Sequence, residues 1–492
     1  MALPATGVYE IRATATANNV NGGGFNSARG GIDYTLQDAA QLTNTDGSAA
    51  GGTTFTSAGG GFTDAMKGNY LHITASTGLT VGWYEIVSVT DTNNVELDRT
   101  PGTGTLTTFY VGGALSMNST LDDDVFETAV AGNEFQLRGA SGTVSIGEGI
   151  NISAAGGAQN PIKLIGYNST RGDNPTGSTR PTIACAANSF QFSGANWDVS
   201  YVMFTGTGTS VITNASNQKF LWVKCTNSST TANRTAITTG TDNLFVSCEF
   251  ISYRGRAMTV GSGTSNVTLR ASWLHSSDAG FYSSTNSTAI MCSDTIISSC
   301  VTAAIQFAGA MTGRVGISAC TLFGATNTTG IGVSLATGCT DIAIMNSIIT
   351  GFVTGVSHAD AAQVVGFDDY NCYNNNDTDV TNWTKGGNDV TTAPAFTSVG
   401  QVTGTAGAFT AANDRLVDTS KNFTSLGVVA GDHVYIVSGT GVTAGIYAIT
   451  SITTTTNPND TLVLTPAPGT NTTADKTYQI TTGHNFLPTG AI

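Results

Sequence analysis

The side chains of this sequence that could do acid–base chemistry are few, and their densest group lies in one stretch. Glu249, Arg254 and Arg256 fall close together, and His275 and Asp278 follow about one repeat later. Glycoside hydrolases use two carboxyl groups about 5 to 9.5 Å apart, and polysaccharide lyases use clustered acids beside an Arg or Lys base. These five residues are therefore the catalytic candidates of the chain.

The pattern around Glu249 favours a surface over an active site. Glu249 alternates with Cys248 and Phe250, so it is predicted to face solvent, and the two arginines fall at a corner. No pair of acidic residues recurs at matching positions of neighbouring repeats. We interpret the group as a solvated or partner-contacting surface, with catalysis as the alternative.

A second acidic group could hold a metal ion but has a simpler explanation. Carboxylates of Asp122, Asp123 and Asp124 are suitable Ca²⁺ ligands. The same residues follow the helix-capping side chains of "ST" at 119–120, and acids are favoured in the first turn of a helix. We predict a short capping helix here, no metal and no cofactor. The "NNNDTD" stretch at 374–379 is likewise typical of turns.

The cysteines are predicted to be free, buried thiols. No zinc-binding C-x-x-C spacing occurs, and the N-terminal "MALPATGVYEIR" shows no secretory signal. The pairs 225/248 and 300/320 are expected in neighbouring repeats, within disulfide reach. Stacked thiols remain the preferred interpretation. The eight cysteines are at 185, 225, 248, 292, 300, 320, 339 and 372.

Composition narrows the class of protein. Only 11% of the 492 residues are charged and 60 are glycine, which disfavours long amphipathic helices and favours an all-β chain rich in turns. A net charge of −14 argues against a nucleic-acid-binding protein, which would need a basic face. No apolar run of about 18 residues could span a bilayer.

Two stretches near opposite ends of the chain are nearly the same. "ITASTGLTVGWYEIVSV" at 73–89 matches "IVSGTGVTAGIYAITSI" at 436–452 without gaps, and both alternate apolar with polar residues. This period-2 pattern predicts β-strands joined by turns. We predict two homologous antiparallel β-modules, at 51–116 and 401–482, that arose by internal duplication.

Between the modules a looser pattern repeats about every 24 residues. "NLFVSCEFI" and "RVGISACTL" illustrate it: apolar alternation, a small or polar residue, then another apolar residue. A period of this length with two or three short strands per repeat predicts a parallel β-helix. Positions taken as equivalent are Val223, Val246, Leu269, Ser298, Ile317, Ile344 and Phe367. Small or polar positions predicted to point inward are Cys225, Cys248, Ala271, Cys300 and Asn346.

These patterns give a domain plan. We predict a right-handed parallel β-helix of about ten coils at 141–400, preceded by a capping helix and first strand at 117–140. An N-terminal arm or entry segment occupies 1–50, and a C-terminal tail occupies 483–492. The Asn- and Asp-rich segment from 368 to 398 forms the last, irregular coil, with "APAF" sealing the end.

Four stretches resemble one known group of proteins. "NGGGFN" (21–26), "GGIDYTLQDAAQL" (30–42), "GGFTDAMKGNYLHIT" (60–74) and "PIKLIGYNSTRGD" (161–173) resemble the pectate-lyase-like, right-handed β-helix proteins of tailed bacteriophages. The resemblance covers residues from about 20 to 398. It implies a virion protein, either a tail spike or fibre or a head-decoration protein.

We therefore expect a non-enzymatic structural protein located in the virion. Its expected partners are other virion proteins of the capsid or tail, a host surface glycan, and further copies of itself, a trimer being one arrangement. The alternatives are a tail-spike depolymerase, acting as a hydrolase or lyase, and a glycan-binding adhesin. The "RGD" at 171–173 is too short to indicate integrin binding.

Overall fold

The computed structural model describes residues 3–4, 7–13, 20–116, 124–276, 278–284, 287–311, 313–324, 330–360, 366–392, 401–409, 414–426, 428–430, 432–443, 445–454, 460–465, 467–469 and 473–481. The protein contains a β-solenoid of about eight turns with a repeat of about 24 residues, and six-stranded antiparallel barrels. The predicted all-β parallel β-helix, with its repeat of about 24 residues, is confirmed.

The strands before the coils are β1 (Val8–Ile11), β2 (Gly24–Phe25), β3 (Leu42–Ala50), β4 (Thr54–Ser57), β5 (Tyr70–Leu79), β6 (Gly82–Asp91), β7 (Asn94–Leu97) and β8 (Gly102–Val111). The next strands are β9 (Glu134–Arg138), β10 (Val144–Ser145), β11 (Ile150–Ile152), β12 (Ile162–Tyr167), β13 (Thr182–Ala184), β14 (Phe190–Phe192), β15 (Trp197–Ser200), β16 (Met203–Gly206), β17 (Ser210–Asn214), β18 (Lys219–Leu221) and β19 (Lys224–Asn227).

The later coil strands are β20 (Thr235–Thr239), β21 (Leu244–Val246), β22 (Glu249–Ser252), β23 (Arg256–Val260), β24 (Ser265–Arg270), β25 (Trp273–Ser276), β26 (Ala279–Ser283), β27 (Thr288–Ser293), β28 (Ile296–Cys300), β29 (Ala303–Phe307), β30 (Val315–Ser318), β31 (Thr321–Gly324), β32 (Ile331–Leu335), β33 (Ile342–Met345), β34 (Ile348–Thr350), β35 (Thr354–His358), β36 (Gly366–Asp369), β37 (Cys372–Asn374) and β38 (Thr378–Thr381).

The last strands are β39 (Gln401–Phe409), β40 (Arg415–Val417), β41 (His433–Ser438), β42 (Gly445–Thr454), β43 (Asp460–Thr465) and β44 (Lys476–Thr481). Helical structure among the described residues is short. It consists of the α-helix α1 (Asp124–Glu127) and 3₁₀ turns at Ser27–Arg29, Tyr34–Leu36, Asp64–Met66, Gly139–Ser141 and Gly177–Thr179.

The chain divides into two compact units. One contains the residues up to Cys225 together with Asp242–Leu244, and the other contains Thr226–Thr241 and the residues from Phe245 onward.

The first unit begins with a strand of the solenoid. β1 pairs in parallel with β9, and β2 runs antiparallel to β1. Tyr9 and Ile11 of β1 are buried, which explains why this segment joins the first coil. The structure thus differs from the N-terminal arm predicted over 1–50. The coils of this unit continue in the parallel sheets β9–β12–β15–β18, β10–β13–β16 and β11–β14–β17.

A closed barrel is inserted between β2 and β9. Its strands follow the order β3-β4-β7-β6-β5-β8 around a core that includes Phe55, Ile73 and Phe109. The barrel begins at Leu42, earlier than the module predicted at 51–116. Its first strand, "LTNTDGSAA", carries few large apolar residues, so the alternation that predicts strands is weak there.

The second unit contains a barrel of the same design. Its order β39-β40-β43-β42-β41-β44 matches the first barrel strand for strand. Tyr84 Oη donates to the Thr80 carbonyl at 2.7 Å, and Tyr447, at the matching sequence position, donates to the Thr443 carbonyl at 2.6 Å. The two modules therefore share a local hydrogen bond as well as a topology. Their origin by duplication stays a prediction.

The coils of the second unit stack in register. Three parallel sheets run β24–β27–β30–β33–β36, β22–β25–β28–β31–β34–β37 and β20–β23–β26–β29–β32–β35–β38. Side chains in register form columns in the core because neighbouring strands lie about 4.8 Å apart. One such column is Leu269, Cys292, Ile317, Ile344 and Asp368.

Each coil leaves the sheet that contains β24, β27, β30, β33 and β36 through one residue with a left-handed backbone. A positive φ is costly for a residue with a Cβ, by roughly 1 kcal/mol or more. Hydrogen bonds to the next coil hold the corner, as between the Ala271 N–H and the Ser293 carbonyl at 3.0 Å. The prediction that Ala271 and Asn346 point inward is wrong, because both are corner residues. The corners of this unit are Ser247, Ala271, Asp294, Ala319, Asn346 and Tyr370.

After several of these corners, the next residue carries a small polar side chain that bonds the preceding coil. Ser272 Oγ accepts the Cys248 N–H at 3.1 Å, and Ser347 Oγ accepts the Cys320 N–H at 3.2 Å. Asn371 Oδ1 accepts the Ser347 N–H at 2.9 Å. Since a buried N–H needs an acceptor, these side chains satisfy the backbone where the chain turns. We call this set the polar ladder.

A buried ion network anchors β1 in the first unit. Glu10 is fully buried, with Oε1 3.0 Å from Arg12 Nε and Oε2 2.8 Å from Arg171 Nη2. Tyr167 Oη also donates to Glu10. A buried carboxylate is stable only when paired and hydrogen-bonded. The network thereby holds the first strand to the 167–173 segment.

The "RGD" sequence at 171–173 belongs to this network. Arg171 Nη1 lies 2.8 Å from Asp33 Oδ2. Asp173 accepts backbone N–H groups from Asn168 and Ser169, each at 2.9 Å. The arginine and the aspartate are both engaged within the first unit, so the motif has a structural role.

We predict that Arg171→Ala lowers the free energy of unfolding by about 3–5 kcal/mol, because it leaves Glu10 buried without one of its two cations. Urea denaturation monitored by tryptophan fluorescence measures the change. Arg314→Ala is the matched control, since Arg314 forms only an exposed 3.9 Å ion pair with Asp341 and should cost less than about 1 kcal/mol. Equal effects of the two substitutions would contradict the anchoring role.

Candidate functional site

The five catalytic candidates lie on two adjacent coils of the second unit. Glu249 begins β22 and aligns with Trp273 on β25. His275 lies farther along β25, Arg256 begins β23, and Asp278 follows the end of β25. The length of β25, roughly 10 Å, separates the Glu249 position from Asp278. Glu249 and Asp278 therefore start from well-separated backbone positions.

His275 is buried. Its ring is 1% exposed, and Nδ1 lies 3.2 Å from Ser298 Oγ on β28. Trp273 Nε1 donates to the same Ser298 Oγ at 3.0 Å, and the Trp273 ring meets the imidazole edge-on. His275 thus belongs to a packed polar cluster, so the solvated surface expected from the sequence is wrong for this residue.

The C-terminal barrel covers this flank. Val437 of β41 packs against Ile251 and Tyr253, and Ile251 stands in register with His275. Burial raises the pKa of Tyr447 in the same barrel to about 12, and the nearby positive charge of Arg254 opposes that rise. We call the surface formed by Ile251, Tyr253 and Arg254 the barrel-covered flank.

Two further candidates, Arg256 and Asp278, form an ion pair with each other. Arg256 Nε lies 3.5 Å from Asp278 Oδ2, and the guanidinium carbon lies 3.4 Å from the centre of the Tyr282 ring. An ion pair and a cation–π contact both stabilise the arginine where it is. The arrangement is that of a structural pair at a coil corner.

The acidic group that was weighed as a metal site and assigned to a capping helix lies at the edge of the described residues. Asp122 and Asp123 lie outside the described residues, and Asp124 begins α1. In the part of the chain that the structure describes, no group of three His, Cys, Asp or Glu side chains could hold a metal ion. Asn376, in the second oxygen-rich stretch, instead bonds the Phe352 N–H and the Ile349 carbonyl.

Across the described ranges, no helix combines the length and apolar character needed to cross a membrane.

A buried carboxyl that sequence reasoning missed closes the last coil. Asp368 ends the core column, and its Oδ2 accepts Tyr373 Oη at 2.6 Å and Trp383 Nε1 at 2.5 Å. Asn371 donates to the other oxygen. The Trp383 ring lies against Gly366, where a Cβ would collide with it. The segment after β38 thus crosses the end of the core, and "APAF" lies outside the described residues.

All eight cysteines are free and buried. Cys320 contacts Cys292, with an Sγ–Sγ distance of 3.8 Å, in place of the predicted partner Cys300. The reason is strand register: β30, which precedes Cys320, pairs with β27, which carries Cys292, whereas Cys300 aligns with Gly324.

Two aromatic residues of the first unit form a pair that the sequence did not single out. Tyr201 and Trp222 stand at left-handed corners, and their rings are parallel within 5° with centroids 6.5 Å apart. Both are half-buried, and Lys219 and Asp198 lie in register on the preceding strands. A parallel aromatic pair beside hydrogen-bonding groups can stack on a flat, partly apolar ligand.

The fold and the barrel-covered flank define a β-solenoid protein with two closed barrels. No protein-family model and no curated protein gives a significant match to the chain.

Several solved structures are similar at low identity. The tailspike protein gp49 from Pseudomonas phage LKA1 is 10% identical, covering 90% of this chain and 81% of that chain at a TM-score of 0.21. A tailspike protein mutant of E. coli bacteriophage HK620 in complex with pentasaccharide is 10% identical, covering 75% and 80% at 0.24. The catalytic domain of a GH87 alpha-1,3-glucanase in complex with tetrasaccharides is 11% identical, covering 73% and 89% at 0.28. TM-scores this low do not establish a shared activity.

We predict that the C-terminal cap becomes less stable as the pH rises from about 4 to 7. Burial raises the pKa of Asp368 to about 6, with the charge of Asp389 adding to the rise and the Tyr373 and Trp383 hydrogen bonds opposing it. An unfolded aspartate titrates near 4. The folded state therefore keeps the Asp368 proton to a higher pH than the unfolded state does. The stability that the cap has below pH about 4 is lost as the pH passes about 6.

Hydrogen exchange of the β36 and β37 amides, corrected for the intrinsic pH dependence, measures this loss, which we expect to be about 1–2 kcal/mol. Asp368→Asn should flatten the profile, and Asp294→Asn, at an exposed position, should leave it unchanged. A flat profile in the unsubstituted protein would show that Asp368 does not control the cap.

Proposed function

We propose that this chain is a structural protein of a tailed-phage virion that acts without catalysis. One observation carries the proposal: the protein's own C-terminal barrel packs on the coil flank beside the densest group of acid–base side chains. Val437 packs on Ile251 and Tyr253 there, and His275 beside them is buried. A polymer substrate would have to displace the barrel to reach the imidazole.

The electrostatics of the flank support the same function. Arg256 is engaged by Asp278 and by the Tyr282 ring, so neither charge is poised for a substrate. General acid–base catalysis requires a group with an accessible proton near the reacting bond. A buried histidine held by Ser298 does not meet that requirement.

The virion assignment rests on the resemblance of the sequence to phage β-helix proteins. The two barrels supply compact modules for contact with other virion proteins or with further copies of this chain. A surface with few charges and much Thr, Ser and Asn suits a rigid exposed protein. Location on the tail, as a spike or fibre, or on the head, as a decoration protein, is consistent with this role.

We predict that the purified full chain releases no oligosaccharide from host capsule or lipopolysaccharide, because His275 is buried and Arg256 is paired with Asp278. Chromatography and a reducing-end assay measure the release, and a known depolymerase serves as positive control. Release that disappears in His275→Ala or Glu249→Gln would overturn the non-catalytic proposal. Immunogold labelling of purified particles tests the virion role, which absence of the chain from the particles would refute.

A second candidate function is glycan binding without cleavage, and the Tyr201–Trp222 pair favours it. Sugar rings present flat C–H faces that stack on aromatic rings, while their hydroxyl groups bond to charged side chains. Lys219 and Asp198 lie on the strands that precede these corners. The pair thus has the composition of a shallow sugar-binding surface.

If this surface binds host glycan, Trp222→Ala should weaken binding of the full chain to immobilised host lipopolysaccharide by roughly tenfold or more. Tyr370→Ala removes an aromatic side chain that is 62% exposed elsewhere in the fold, and it is the matched control. Equal binding by both variants and the unsubstituted protein would eliminate Tyr201–Trp222 as the binding surface.

A further inference from the structure

Cys292 and Cys320 place two thiols in contact between neighbouring coils. Their Sγ atoms are 3.8 Å apart, and the side chains are 2% and 1% exposed. Cys292 lies in the core column on β27, and Cys320 follows the corner after β30 in the polar ladder. The pair thus joins a residue of the core column to a residue of the polar ladder.

We propose that Cys292 and Cys320 form an oxidisable staple, which closes from two thiols to a disulfide when the folded protein meets a peroxide. The staple would link two coils covalently at mid-solenoid. This inference goes beyond the proposed virion function and does not depend on it.

The geometry requires only a small movement. A disulfide needs a sulfur–sulfur distance of about 2.05 Å, so the sulfurs must approach by roughly 1.8 Å. Rotation about two Cα–Cβ bonds can provide much of this. Cys320 Sγ lies only 3.4 Å from the Cys292 carbonyl, so its side chain already leans toward the partner strand.

The contact also changes the acidity of the two thiols. The two thiols share a hydrogen bond, which lowers the pKa of Cys320 and raises that of Cys292. The thiolate is the reactive form of cysteine. Elsewhere in the core, burial alone raises the pKa of Cys185 to about 12, which protects it from oxidation.

The reaction balances with a peroxide as the oxidant. The Cys320 thiolate attacks one oxygen of hydrogen peroxide, the O–O bond breaks, and Cys320 becomes a sulfenic acid as hydroxide leaves. The Cys292 sulfur then attacks the Cys320 sulfur, the S–OH bond breaks, and a second hydroxide leaves. The two thiol protons convert both hydroxides to water. The two thiols are oxidised by two electrons, and the peroxide is reduced.

The polar ladder supplies a conservative variant. Ser272 and Ser347 occupy the ladder position that Cys320 occupies, and their hydroxyls accept N–H groups of the preceding coils. Cys320→Ser should therefore fold normally and keep the ladder. Cys300→Ser is the matched control, because Cys300 is another buried free thiol of the same unit.

The test treats the folded full chain with hydrogen peroxide and then counts free thiols in denaturant. The count should fall from eight to about six, and peptide mass spectrometry should find Cys292 linked to Cys320 with a loss of about 2 Da. Cys300→Ser should show the same loss of two thiols, and Cys320→Ser should show none.

Closure should also slow hydrogen exchange in β27 and β30, by roughly tenfold, because the two strands can no longer separate locally. Three results would overturn the proposal: a full count of thiols after oxidation, a linkage between other cysteines, or oxidation of Cys320 to sulfinic acid without a link to Cys292.

Discussion

Each coil of the solenoid must pass its backbone hydrogen bonds to the next coil, because a single coil has no partner strand of its own. At the corners this demand is met by left-handed residues and by the polar ladder, whose side chains accept N–H groups from the neighbouring coil. A coil that lost its register would leave buried donors unpaired and shift apolar side chains out of the core. Register between coils is therefore the constraint on which the fold depends.

The first and last coils have a neighbouring coil on one side only, so their strand edges and apolar core must be covered in another way. At the start, β1 completes the first coil and is fixed by buried Glu10 between Arg12 and Arg171. At the far end, the core column finishes in Asp368, which the Tyr373 hydroxyl and Trp383 indole satisfy. Both closures use a buried carboxyl with directional partners, since an open end would expose apolar surface and unpaired strand edges.

The sequence predicted the parts of the fold that repeat. Leu269, Ile317 and Ile344 were correctly taken as equivalent, because apolar alternation and spacing agree there. Ser298 was placed wrongly because it lies on β28 of another sheet, and Cys292 of β27 occupies the equivalent position. Phe367 was placed one residue before the true equivalent, Asp368. A slip of one residue exchanges the inner and outer faces of a strand. Local alternation cannot detect such a slip where the inward residue is polar, as Asp368 is.

The candidate site was less predictable because its character depends on distant residues. Coil spacing placed Glu249 and Arg254 on one coil and His275 on the next, but the packing of Ile251 and Tyr253 beside them depends on Val437, which lies in the second barrel. Similarly, Arg171 in an "RGD" turn has its role fixed by Glu10 and Asp33. The sequence period and composition predict which residues are neighbours within and between coils. They cannot predict these contacts, because the contacts join segments that are far apart in sequence.

A closed flank is the central claim of this account, and the reactivity of His275 tests it most directly. Labelling of the folded full chain with diethyl pyrocarbonate, read out on the peptide that contains His275, reports whether solvent reaches the imidazole. The account predicts slow labelling that accelerates when Val437→Asp loosens the barrel. Labelling of unsubstituted His275 as fast as that of an exposed histidine would contradict a closed flank and favour an accessible active site.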